Sequence, residues 1–174
     1  MIAYKHVLLA GAFFLAATGT AFADPPTLIG SFKDWSAFQG VAGSNRVCYA
    51  MAKPGATLPK KSKRDAIYIM VSDWPGRKAK GEIEIVPGYQ YKDGSTVTAQ
   101  IGKEKFELFT RNEAGEGSAW VEDAAKERQM LAAMEKGARI TIMGTSQHGT
   151  TTHDTYALGG LSEALSKANA ACGM

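Results

Sequence analysis

The sequence has little of what most catalytic and metal chemistry requires. Its 174 residues include only two cysteines, Cys48 and Cys172, and three histidines. The wide spacing of the cysteines excludes a C-x-x-C redox motif and leaves no sulfur cluster that could hold zinc. No Walker loop, dinucleotide fingerprint, zinc loop or calcium loop occurs, so nothing calls for a cofactor. Beyond the first two dozen residues there is no second long apolar run, which leaves no transmembrane segment in the remainder. Internal repeats and low-complexity tracts are missing too. No basic run is interleaved with aromatic residues, which argues against a nucleic-acid partner.

What is present begins with "MIAYKHVLLAGAFFLAATGTAFADPP". One cation, Lys5, precedes an apolar stretch from Val7 to about Ala17, and small residues lead to Ala21-Phe22-Ala23. This is the layout of a secretory signal peptide with an A-x-A site, so residues 1–23 are expected to be cleaved and the mature chain to start at Asp24. The apolar stretch is short for a membrane span and has no basic stop-transfer flank. No cysteine lies near the cleavage point for acylation, and no twin-arginine pair is present. A periplasmic location follows as the expectation, with secretion or association with the outer membrane as variants of it. In an oxidising compartment two thiols tend to pair. A Cys48–Cys172 disulfide is therefore the leading expectation, with two buried thiols as the alternative.

Residues 24–174 are the length of one ordinary domain. Their charge is unevenly placed, since residues 53–80 carry eight Lys or Arg against two Asp. Two loops hold most of these cations: "KKSKR" (Lys60, Lys61, Lys63, Arg64) and "GRKAKG" (Arg77, Lys78, Lys80). They flank the strand-like "AIYIMVSD", so an antiparallel arrangement sends them to opposite ends of it. Such positive loops would attract an anionic glycan or lipid phosphate; ordinary loop solubility is the competing reading.

Between the loops the apolar residues recur with period two. Ile67, Ile69 and Val71 share one face of a strand whose other face is also apolar, predicting a central position. Ile83 and Ile85 point inward, with Glu82 and Glu84 facing water; Val97, Ala99 and Ile101 alternate with polar residues, as do Phe106 and Leu108. Phe32, Trp35 and Phe38 are expected in the core, and "KDG" at Lys92–Gly94 reads as a hairpin turn. Two helices interrupt the pattern, "VEDAAKERQMLAAMEKG" and "LSEALSKANAAC". In the first, Met130, Leu131 and Met134 share a face, a spacing that serves packing more often than metal binding. The prediction is an all-β, mainly antiparallel fold, a single β-sandwich or partly closed barrel with one or two short helices.

Three groupings invite a chemical reading. Ser146, His148 and Asp154 could form a hydrolase triad, but they crowd into one hairpin and no G-x-S-x-G elbow surrounds the serine. His148, His153 and Asp154 make an incomplete metal set. Glu82 and Glu84 share a strand face, a spacing open to a glycosidase pair but equally to a solvated surface.

The order of "IGSFKDW", "CYAMAKP", "PGYQYKDGSTVTAQIGKEKFELF", "AAMEKG", "GTSQHGT", "DTYALGG" and a late cysteine resembles the invasion-associated locus B family across residues 28–172. The resemblance implies a small exported protein of Gram-negative bacteria, in a family named for an association with entry into host red cells. It implies no catalytic residues, and it places the family's paired cysteines at Cys48 and Cys172. The basic loop Lys60–Arg64 is not carried by the resemblance. Together these readings give a non-enzymatic periplasmic or envelope protein that binds an envelope or host partner, with host-cell invasion or virulence as its setting. The alternative is a small envelope-directed hydrolase using Ser146, His148 and Asp154.

Overall fold

The computed structural model describes residues 25–60 and 63–174, so the predicted signal peptide and Lys61 lie outside the described residues. The strands run β1 (Thr27–Phe32), β2 (Trp35–Ala42), β3 (Asn45–Ala52), β4 (Ala56–Leu58), β5 (Tyr68–Trp74), β6 (Ala79–Val86), β7 (Thr96–Ile101), β8 (Glu104–Glu113) and β9 (Glu116–Trp120). Helix α1 (Ala124–Lys136) follows, then β10 (Arg139–Thr145), β11 (Thr151–Ala157) and helix α2 (Leu161–Cys172). The mainly antiparallel all-β class expected from the sequence holds. The strands form one open sheet in the order β1-β2-β3-β5-β6-β9-β8-β7-β10-β11-β4.

That sheet folds back on itself. Inward side chains of one half (Ala37, Ile69, Ile83) and of the other (Val97, Ile140, Tyr156) share a single buried cluster. Fully burying an Ile or Leu contributes about 1.5–3 kcal/mol, so this cluster is the main source of stability. Trp35 on β2 is fully buried, and its indole N–H donates to the Ala157 carbonyl at the end of β11 across 3.0 Å. The edges β1 and β4 stay unpaired with each other.

Both helices lie on the inner face. Asp123 caps α1 by accepting from the Ala125 and Lys126 amides, and Met130 and Met134 are buried. The methionine stripe is packing, as its spacing implies. Helix α2 inserts Leu161, Ala164 and Leu165 against the core, and lays Ala168 and Cys172 on Cys48 of β3. Its entry depends on Gly160 at φ 95°, where an added Cβ would sit 1.9 Å from the Phe32 carbonyl oxygen. Only glycine fits there. The helix is then bonded to the sheet, since Cys48 and Cys172 form a disulfide across 124 residues with Cα atoms 5.9 Å apart.

Three expectations need correction. Phe38 is not a core anchor; it lies on the outer face of β2, stacked on Tyr49 at 5.2 Å. The Lys92–Gly94 turn forms, but it does not join paired strands. The preceding β6 pairs with β5 and β9, and the following β7 pairs with β8 and β10, so the turn carries the chain from one half of the sheet to the other. Glu82 and Glu84 do not simply face water, because the outer face around them is largely apolar and leaves both half-buried. Strand β5 is central as expected, between β3 and β6.

Candidate functional site

Among the described residues no helix covers the outer face of β3, β5, β6, β9 and β8, because α1 and α2 both pack inside. Cross-strand register sets Met51, Met70, Glu84, Trp120 and Phe109 side by side across these five strands. Directly opposed side chains have Cβ atoms about 4.5–5.5 Å apart, so this is one continuous row of contacts. A single carboxylate sits among two thioethers and two rings.

A cleft of about 650 Å³ opens beside that row, lined by Trp74, Arg77, Glu82, Phe109, Arg111 and Trp120 among others. It exists because β9 stops at Trp120. Past that point the edge of β6 has no strand partner, and the Ile83 amide donates to the Glu127 carboxylate of α1 at 2.9 Å instead. On the other wall the β5–β6 register slips after Ser72, which faces Glu82, to Trp74, which faces Ala79. Bulges of this kind re-aim side chains near functional sites. Here the Gly81 amide is taken by Asp73 Oδ1. The Trp74 ring stands at the cleft with its N–H on Ser72 Oγ at 3.0 Å.

Aromatic rings and guanidinium groups are paired around this cleft. Arg77 lies over the Trp74 ring at 4.3 Å and reaches Glu82 at 3.1 Å. Arg111 lies 5.9 Å from the Phe109 ring centre. Stacking of this kind contributes about 0.5–1 kcal/mol at exposed positions. The carboxylates are less well provided for. Burial pushes the Glu84 carboxyl up to about 7, the Ser118 hydroxyl opposes this, and the charges of Glu82 and Glu116 add to it. Burial also raises Glu127, against the Ile83 amide and helped by Glu82. Glu84 thus has a hydroxyl partner and two anionic neighbours, and no ion pair reaches it among the described residues.

The structure separates the residues singled out in the sequence. Arg64 leaves the exposed basic set. Its side chain is 4% exposed and makes a bidentate pair with Asp154, which is 3% exposed. Its Nη1 also donates to the Pro87 carbonyl, and its guanidinium lies 5.6 Å from the Tyr89 ring centre. Burial alone would lower the Arg64 pKa; the hydrogen bond and charge of Asp154 outweigh it and raise the pKa. A buried cation stays only where such a partner meets it. Lys60 and Lys63 remain exposed before β5, while Arg77, Lys78 and Lys80 are exposed beyond its other end. Of all these cations, only Arg77 lines the cleft.

The hydrolase grouping does not assemble. Asp154 is buried and both its oxygens accept from Arg64, so its charge is already answered by a guanidinium rather than an imidazole. Ser146 Oγ accepts from the Thr150 amide, and His148 is exposed at the hairpin tip. His153 is exposed on β11 while Asp154 beside it is buried, so the pair points to opposite faces. Trp74, Phe109 and Trp120 carried no signal in the sequence beyond being aromatic, since only the strand order brings them together.

The family described as Invasion associated locus B (IalB) protein matches residues 35–169. The chain belongs to the IalB family. The crystal structure of invasion associated protein b from Bartonella henselae superposes on this IalB chain with a TM-score of 0.58 at 18% identity. The match covers 83% of this chain and 97% of that one, and at such identity the likeness is one of fold. Comparison with curated protein sequences finds no match. The IalB assignment covers the cleft and the Arg64–Asp154 pair, all of which lie between residues 35 and 169.

Proposed function

We propose that this IalB-family chain is a non-enzymatic protein of the bacterial envelope that works by holding an envelope or host partner against the outer face of its sheet. The observation that carries this reading is the uncovered cleft whose walls present Trp74, Phe109 and Trp120. Aromatic residues and arginine at the centre of a concave surface are the usual anchors of binding. Nothing comparable supports hydrolysis, since Asp154 is occupied and His148 stands apart. Export through a cleaved leader, a periplasmic setting and a role in host-cell invasion or virulence belong to the same proposal. They rest on residues 1–23 and on the family. A photo-crosslinker at position 111 should capture a partner in intact cells. Trp74→Ala and Trp120→Ala should abolish that capture in folded protein; equal capture by both variants would remove the reading.

A second contact is favoured by the pinned base of the basic loop. Arg64 is anchored inside, while Lys60 and Lys63, which precede it in the chain, are exposed. These cations suit an anionic glycan or lipid phosphate. Lys60→Ser with Lys63→Ser should weaken retention on heparin without altering the melting curve. Unchanged retention ends that proposal.

A further inference from the structure

Along β6 and β9 the outer face carries more acid than base. Register places Glu82 and Glu84 on β6 and Glu116 and Trp120 on β9 on the same face, with Tyr68, Met70 and Trp74 along the neighbouring β5. Asp65 joins this line where Tyr68, Tyr89 and Glu116 surround a smaller pocket. Among the described residues, the cation bonded within the strip is Arg77, which is already on Glu82. Arg111 at the rim pairs with Glu113 at 3.7 Å. Glu84 and Glu116 make no ion pair among the described residues.

Two properties of this surface fix what would complete it. An anion approaching Glu84 meets the carboxylates of Glu82 and Glu116 beside it, which disfavours phosphate and sulfate at this position. An apolar group alone would bury Glu84 further and drive it to keep its proton, leaving the charge of this position unused. A cation on an aliphatic stem answers both. Its charge meets Glu84, its methylenes lie on Met70, and its head lies against the Tyr68 and Trp120 rings that flank β6. Glu82 and Glu84 are about 7 Å apart on one strand, the repeat of alternate side chains in an extended peptide.

Resting on the reading of this face as the binding surface, we propose that the strip is a docking site for an extended basic segment of a partner protein. One lysine or arginine side chain of that segment enters between Tyr68 and Trp120 to pair with Glu84. Its neighbours lie along Glu82 and Glu116, and an apolar residue fills the cleft at Trp74 and Phe109. No covalent step is involved.

The test uses the folded protein and a fluorescent octapeptide of alternating lysine and glycine. Its partners are the same peptide acetylated on every lysine, an alternating glutamate–glycine peptide, and spermidine. The lysine peptide is expected to bind and the acetylated and glutamate peptides not to bind. Glu84→Gln should weaken binding about tenfold or more, the worth of one charge-assisted contact. Binding should also fade as pH drops below 7 in the wild type but not in Glu84→Gln; Tyr68, Glu82, Glu116 and Ser118 face the same group. Equal binding of the acetylated peptide, or an unchanged affinity in Glu84→Gln, overturns the proposal. Binding of spermidine without the lysine peptide overturns the peptide assignment. Self-association that Glu84→Gln abolishes, without peptide binding, assigns the face to a second copy and overturns it too. If no peptide binds while Trp120→Ala still abolishes the captured partner, this inference falls and the cleft reading stands.

Discussion

Arg64 and Asp154, ninety residues apart in the chain, meet as a bidentate pair with almost no exposed surface. Asp154 also stands in the register opposite Thr57, so the pair pins the loop after β4 to the strand that β4 completes. Truncating one partner leaves the other charge buried alone, which costs about 3–5 kcal/mol. Arg64→Met and Asp154→Asn should each lower the unfolding free energy measured in urea by that amount. The double variant Arg64→Met/Asp154→Asn should lose less than the sum of the two single losses, and strictly additive losses would deny the coupling.

The disulfide gives a second expectation. Closing a loop of 124 residues removes about 4–5 kcal/mol of unfolded-state entropy in the chain-entropy account. Cys48→Ser should therefore lower the melting temperature markedly. Alkylation of the purified protein without reductant should modify neither sulfur, which intact-mass measurement reads directly.

Acidity should act through Glu84. Its carboxyl titrates near 4.5 in the unfolded chain and near 7 in the folded one. Below 4.5 both states hold the proton and the contribution is fully present. As pH rises through 7 the folded protein gives up a proton that burial favours keeping, and the contribution is lost. Wild type should thus gain stability relative to Glu84→Gln on going from pH 8 to pH 5. Parallel profiles by chemical denaturation would show that Glu84 has no such role.

Gly160 offers a sharper test of the sheet's closure. With φ at 95° and the Phe32 carbonyl 1.9 Å from a built Cβ, Gly160→Ala combines backbone strain with a clash. The variant should be destabilised by several kcal/mol or fail to accumulate. Gly149→Ala is the control, because nothing lies within 4 Å of the Cβ there. It should lose only the small cost of positive φ.

Much of the fold was legible because it is local. Val97, Ala99 and Ile101 alternate and are buried as their period requires; the methionine face of α1 was readable from its spacing, and Met130 and Met134 are buried. The disulfide followed from compartment rather than from packing. What could not be read was set by strands distant in sequence. Glu84 is half-buried because Met70 and Trp120 stand on either side of it, and no spacing within "GEIEIV" reports that. Arg64 looked like part of a solvated cluster because its acid arrives ninety residues later. The cleft depends on β9 ending early, again a matter of which strands pair.

The strand order carries a consequence for biogenesis. β1 and β4 border the sheet, yet both come from the first 60 residues, while β11, the one strand β4 pairs with among the described residues, begins at Thr151. A polypeptide emerging amino end first would show both borders before any of the filling exists. β4 must then wait, its backbone groups unanswered, for almost a hundred residues to appear. Pairings of such long sequence separation close slowly and leave sticky strands open meanwhile. The pairing of β11 with β4 is therefore the last seam the growing chain can close.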